Sequence, residues 1–148
     1  IFGLLITMSV HEFGHYLLLT RYDVPIKRYG FGIPLIYFIP LPFPVAYVEP
    51  DAIKMKEMKK THYMAAISSG IAFNVFLSIA LVFLPISGLA LFSGFFGLLL
   101  TINVGVALMN AMPLFLTDGS YFLRKVVGER FYLFDILFVA IIIYGSFI

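Results

Sequence analysis

Two stretches of this chain, Tyr63–Ile86 and Leu89–Leu116, contain no charged residue. Each is long enough to cross ~30 Å of hydrocarbon as an α-helix rising about 1.5 Å per residue. Runs of this kind leave few folds open, because backbone amides in lipid must be satisfied inside a helix or a closed barrel. Two further segments read alike. Ile1–Thr20 is apolar apart from one polar cluster, and Phe131–Ile148 has only Asp135 as a charge. The sequence predicts an all-α polytopic membrane protein, a single unit over 1–148. About four spans fall at 1–21, 63–86, 89–115 and 131–148.

Composition closes the other routes. The chain is 61% hydrophobic and 12% charged, with mean hydropathy +1.02. Soluble domains carry about 25% charge. A disordered chain, a nucleic-acid binder and an ordinary soluble domain are excluded. Cysteine is absent, which removes disulfides and thiolate chemistry. The first span has neither a basic leader nor a small-residue cleavage site, so it does not read as a signal peptide. The chain starts in mid-helix at Ile1 and ends in apolar sequence, so the expectation is a piece of a longer polypeptide.

The charges are sorted by position. Arg21, Lys27, Arg28, Lys54, Lys56, Lys59 and Lys60 lie between the first two spans, and Arg124, Lys125 and Arg130 follow the third. With four spans these connections share one side, which the positive-inside rule makes cytoplasmic. Tyr22, Tyr63, Tyr121 and Tyr132 mark the same boundary, as an interfacial aromatic belt would. Between the first two spans, Phe31–Pro50 is too apolar for a solvated loop, and its prolines forbid a helix. A membrane-associated, re-entrant β-type hairpin over about 24–50 is predicted. It is either a plug for the bundle or a sheet edge for an extended peptide, through Phe31, Pro44, Val45, Ala46, Tyr47 and Val48.

The polar cluster in the first span is His11-Glu12-Phe13-Gly14-His15. Residues four apart share a helix face. H-E-x-x-H supplies two imidazoles for Zn²⁺ and a glutamate as general base. Ionisable groups are expensive inside an apolar span and are usually functional there. Counting back from Arg21, the metal would lie roughly 9–15 Å inside the cytoplasmic boundary, reached by water through a cavity. A catalytic zinc needs a third protein ligand and an open position. Asp118 and Asp135 are the acids in apolar surroundings. Asp118 is preferred, because Pro113 breaks the third span before it and Gly119 permits a tight turn. His62 reads as an interfacial residue. Gly70, Gly94, Gly97 and Gly105 read as close-packing positions within spans.

These motifs resemble the site-2 protease family of intramembrane zinc metalloproteases, peptidase family M50. His11–His15 matches its zinc-binding motif. Asn110, Pro113, Asp118 and Gly119 match its N-x-x-P-x-x-x-x-D-G motif, whose aspartate is the third zinc ligand. Ser69–Asn74 is similar to the small-residue and asparagine element of the intervening span. Thr117, Ser120 and Ile71 depart from the usual leucine, glycine and proline. Family members often have six spans, and many carry PDZ or CBS domains; this chain reads as the catalytic core without them. Tyr47–Asp51 looks like the segment after the family's β-hairpin.

The resemblance implies one Zn²⁺ held by His11, His15 and Asp118, with Glu12 as the catalytic base. Asn74, Asn110 or His62 would stabilise the anionic intermediate. The implied partners are the lipid bilayer and a membrane-protein substrate with a transmembrane helix; nucleic acid is not among them. The implied reaction is peptide hydrolysis within or near that helix, at an active site nearer the cytoplasmic face. A non-proteolytic membrane metal-binding protein or carrier is the alternative. That reading predicts more buried acids or thioethers along a path and no base beside the ligand pair.

Overall fold

The computed structural model describes residues 1–33, 35–36, 39–40, 45–83, 93–113, 117–128, 131 and 136. The elements in chain order are α1 (Phe2–Arg21), β1 (Ile26–Gly32), β2 (Leu35–Ile36), β3 (Ile39–Pro40), β4 (Val45–Pro50), α2 (Ala52–Glu57), α3 (Lys60–Phe83), α4 (Ser93–Ala111) and α5 (Asp118–Val127).

α1, α3 and residues 94–111 of α4 are long and apolar enough to cross a membrane. Three of the predicted spans are therefore present as helices. The fourth, with Asp135, lies almost wholly outside the described residues, as does the loop between the second and third spans. α3 is the central helix and packs against both α1 and α4. Contact with α1 is close at Gly14, where a Cβ would lie 2.6 Å from the Ser69 carbonyl oxygen. The outward faces expose Phe76, Phe83, Leu98 and Leu108. Such side chains are at no disadvantage in lipid, whose tails are equally apolar.

α1 stops where the chain must turn. Asp23 takes φ 56, the left-handed region that Asp tolerates better than most residues. The Val24 amide donates back to the Leu19 carbonyl at 2.9 Å, and Pro25 prevents continuation. Leu19 and Val24 then bury against Ala66 of α3, forming a small core beneath the sheet.

The β-type segment is present as antiparallel strands. β1 pairs with β4 from Ile26↔Pro50 to Gly32↔Val45, with a bulge between Ile26 and Arg28. β2 pairs with β3 as a two-residue ladder. β4 lies against α1, with β1 on its far side. Tyr47–Pro50 therefore lies within a paired strand, not after the hairpin as expected. The alternation of Val45, Tyr47 and Glu49 with Ala46 and Val48 places successive side chains on opposite faces, as a strand requires. Pro44 lies outside the described residues.

Two short helices fall in connections that the sequence reading left without structure. α2 is capped by Asp51, whose carboxylate accepts from the Ile53 and Lys54 amides at 2.9 and 3.0 Å. Asp51 also pairs with Lys27 at 3.1 Å. The Lys54 amide first, and then the Lys27 ammonium, hold its carboxyl below the usual aspartate range. α5 begins at Asp118 with Thr117 as N-cap and ends at Gly128, φ 92.

The glycine expectations divide. Gly94, Gly97 and Gly105 have nothing within 4 Å of an added Cβ among the described residues. Gly119 is helical and has no positive φ. It is required for another reason: a Cβ there would collide with the Ala111 carbonyl and lie 2.5 Å from that of Met112.

Candidate metal centre

α1 carries His11 and His15 on the face turned toward α3, and both are buried, at 2% and 8% exposure. The kink after α4 returns the chain so that the first turn of α5 meets them. Thr117 makes that return possible. Its hydroxyl donates to the Met112 carbonyl at 2.6 Å and caps the Ser120 amide. A leucine at 117 could do neither, so this departure from the family pattern contributes to the local geometry. Ser120, the second departure, is fully buried and donates to the Thr117 carbonyl at 2.8 Å.

The result is a triangle of donor atoms. His11 Nε2 lies 3.0 Å from Asp118 Oδ2, His15 Nε2 lies 3.1 Å from the same oxygen, and the two Nε2 atoms are 3.2 Å apart. Tetrahedral zinc with ligands at about 2.0–2.1 Å needs donors roughly 3.3 Å apart. The triangle is within a few tenths of an ångström of that. These three residues form a group able to hold a metal ion, and no other such group occurs among the described residues. Asp118, the acid preferred from sequence, is thus brought to the histidines.

The rings are held from behind by α3. His15 Nδ1 lies 2.8 Å from the Ala66 carbonyl oxygen. An unprotonated carbonyl can only accept, so Nδ1 carries the proton and Nε2 is left as a lone-pair donor. His11 Nδ1 faces the Asn74 amide at 3.2 Å. Gly70 lies between. A Cβ on it would sit 2.5 Å from His15 Nε2 and 2.6 Å from His11 Nε2, so only glycine leaves both nitrogens free. The sequence reading gave Gly70 a close-packing role, and the packing is against the rings of His11 and His15. The clue was its place in the Ser69–Asn74 element.

Glu12 projects from α1 between two openings. One is a groove of about 300 Å³ between α1 and the sheet, lined by Ser9, Glu12, Tyr16, Phe31, Ala46 and Val48 among others. The second is a cavity of about 490 Å³ lined by Glu12, His15 and Asp118 together with Lys56, Tyr63 and Tyr121. Glu12 and Val48 line both openings together, so β4 borders the site.

The remaining sequence candidates are placed differently. Asn74 is fully buried beside His11. Asn110 donates to the Val106 carbonyl of its own helix at 3.1 Å, which turns its amide away from the triangle. His62 stacks on Tyr22, ring centroids 4.2 Å apart, and is not in the metal cluster. Asn103, which the sequence reading passed over, is fully buried and donates to the Asn74 carbonyl at 2.6 Å and the Ser78 hydroxyl at 2.7 Å. An amide in the middle of an otherwise uncharged span was the available signal.

No curated protein and no solved structure matches the chain. A family model does: that of peptidase family M50, over residues 1–95. Those residues contain the histidine pair, Glu12, the sheet and the α3 element behind the rings. The chain is an integral membrane protein that belongs to peptidase family M50, a family of zinc metalloproteases.

Proposed function

We propose that this protein is an intramembrane zinc metalloprotease. It hydrolyses peptide bonds within or near the transmembrane segments of membrane-protein substrates. The observation that carries this is the donor triangle of His11, His15 and Asp118, 3.0–3.2 Å on a side, with Glu12 beside it in a cavity within the apolar bundle. A base next to the ligand pair favours hydrolysis over metal carriage.

His11 Nε2, His15 Nε2 and Asp118 Oδ2 would hold the ion. Bound there, zinc would lower the pKa of a water toward ~7 and polarise the scissile carbonyl. Glu12 then takes the proton of the attacking water on its carboxylate and delivers it to the leaving amine. The cavity that Glu12, His15 and Asp118 line would admit that water, from the side that the basic residues mark as cytoplasmic.

A helical substrate must be locally extended before its carbonyl can be reached. The groove between α1 and β4 offers a place for it. β4 borders this groove beside Glu12, so an extended peptide pairing along the strand would pass the base. Ala46 and Val48 would contact that peptide directly. Phe31 lines the same groove from β1.

The test uses purified protein in detergent or nanodiscs, with bound zinc and cleavage of a model transmembrane substrate measured together. Glu12→Gln should retain one zinc and lose cleavage. Cleavage that persists in Glu12→Gln would overturn the assignment.

A further inference from the structure

We infer that Asn74 is a positioning residue for the metal ligand His11, and that Asn103 holds it in place. Its side-chain oxygen would accept the Nδ1 proton of His11 and so fix which ring nitrogen faces the ion. The inference takes His11 as a ligand from the metalloprotease reading, but it makes no use of proteolysis.

The argument starts from the tautomer. An imidazole that gives Nε2 to a metal must carry its proton on Nδ1. Nδ1 of His11 lies 3.2 Å from the side-chain amide nitrogen of Asn74, its hydrogen-bond contact among the described residues, and that nitrogen can only donate. An amide has a donor end and an acceptor end, exchanged by a half-turn about its last bond. The acceptor end, Oδ1, is buried and has no hydrogen-bond partner among the described residues. Turning it toward His11 therefore breaks only the contact that it replaces.

His15 supports the same reading from the other ring. Its Nδ1 already faces a pure acceptor, the Ala66 carbonyl at 2.8 Å. Ala66 and Asn74 are eight residues apart on α3, and His11 and His15 are four apart on α1, so one helix backs both ligands of the other. At His15 the acceptor is the backbone of α3. At His11 it has to be a side chain.

The backbone at residue 74 is fixed as well. Asn103 of α4 donates to the Asn74 carbonyl at 2.6 Å, with its own amide anchored to Ser78 at 2.7 Å. Both asparagines are fully buried. Buried amides in an apolar bundle are costly without a task, and this pair links the third span to a ligand on the first. The assignment separates Asn74 from the role of oxyanion donor, since an amide engaged by His11 is not free for substrate.

Zinc affinity by competition with a chromophoric chelator tests this, with cleavage followed separately. Asn74→Leu removes the acceptor and should weaken zinc 10- to 100-fold. Asn74→Asp keeps an acceptor in the same place and should stay within about threefold of wild type. An Asn74→Leu protein with wild-type zinc affinity would overturn the inference, and so would an Asp variant as weak as the Leu one. If Asn74→Leu does not fold, Asn103→Leu decides. It leaves the Asn74 side chain in place but releases its backbone, and should weaken zinc by a smaller factor; unchanged affinity there refutes the role of Asn103, and an Asp variant tenfold or more weaker than wild type refutes that of Asn74. Wild-type protein that binds zinc but cuts nothing would sink the protease reading alone.

Discussion

Gly70→Ala is the sharpest perturbation that the site allows. The added methyl would lie 2.5 Å from His15 Nε2 and 2.6 Å from His11 Nε2. Ordinary contact with such atoms begins near about 3.5 Å. One side or the other must therefore yield by roughly 1 Å. The rings have little freedom to do so, because His15 Nδ1 is tied to the Ala66 carbonyl and His11 Nδ1 to Asn74, both on the helix that carries the methyl. Moving α3 away instead would open the Gly14 contact with Ser69. Metal–ligand distances tolerate only about 0.2 Å, so a displacement of this size exceeds the tolerance several-fold. Zinc per chain, measured by elemental analysis after purification, should fall from one to below about 0.1. Gly97→Ala is the control, since nothing among the described residues lies within 4 Å of its added methyl. A Gly70→Ala protein with one zinc and wild-type cleavage would refute the geometry.

Other substitutions probe separate parts of the structure. Asp118→Ala should abolish stoichiometric zinc in the same elemental analysis, whereas Asp135→Ala should not; the reverse result would move the third ligand to the fourth span. Gly14→Ala places a methyl 2.6 Å from a backbone oxygen and should cost about 1–3 kcal/mol, read as a lowered thermal-unfolding midpoint in detergent. Ser9→Phe narrows the groove beside Glu12 and should cut kcat/KM at least tenfold (about 1.4 kcal/mol) with zinc retained. The Asp51 carboxyl is held below its ordinary value, so its support for the start of α2 is present at neutral pH and is lost as pH falls through that lowered value. Proteolytic susceptibility of the 50–60 segment should therefore rise on acidification in the wild type, and Asp51→Asn should flatten that dependence.

What the sequence determined was the kind of molecule and the candidate ligands. Long uncharged runs dictate membrane helices, because lipid offers backbone amides no partner outside the helix. His11, Glu12 and His15 needed only helical spacing, a local property, to be read as two ligands and a base. The preference for Asp118 rested on Pro113, a residue that ends a helix wherever it occurs in one. Strands in the 24–50 segment were legible because its prolines exclude the alternative.

Only the tertiary structure decided what faces the ligands from other elements. Gly70 has the same composition signal as Gly94, Gly97 and Gly105. It differs only in that α1 passes over it and places two ring nitrogens where a side chain would be. Gly119 is needed for a close approach to Ala111 and Met112, not for a turn, and no local rule shows which carbonyls a returning chain will meet. Asn74 and Asn110 were both candidates in the sequence, yet one faces His11 and the other bonds its own helix. Asn103 acquired a role through Asn74, twenty-nine positions away. Periodicity and helix breakers act over a few residues, whereas the surroundings of a metal ligand are set by which helix faces pack together, and that is a property of the whole bundle.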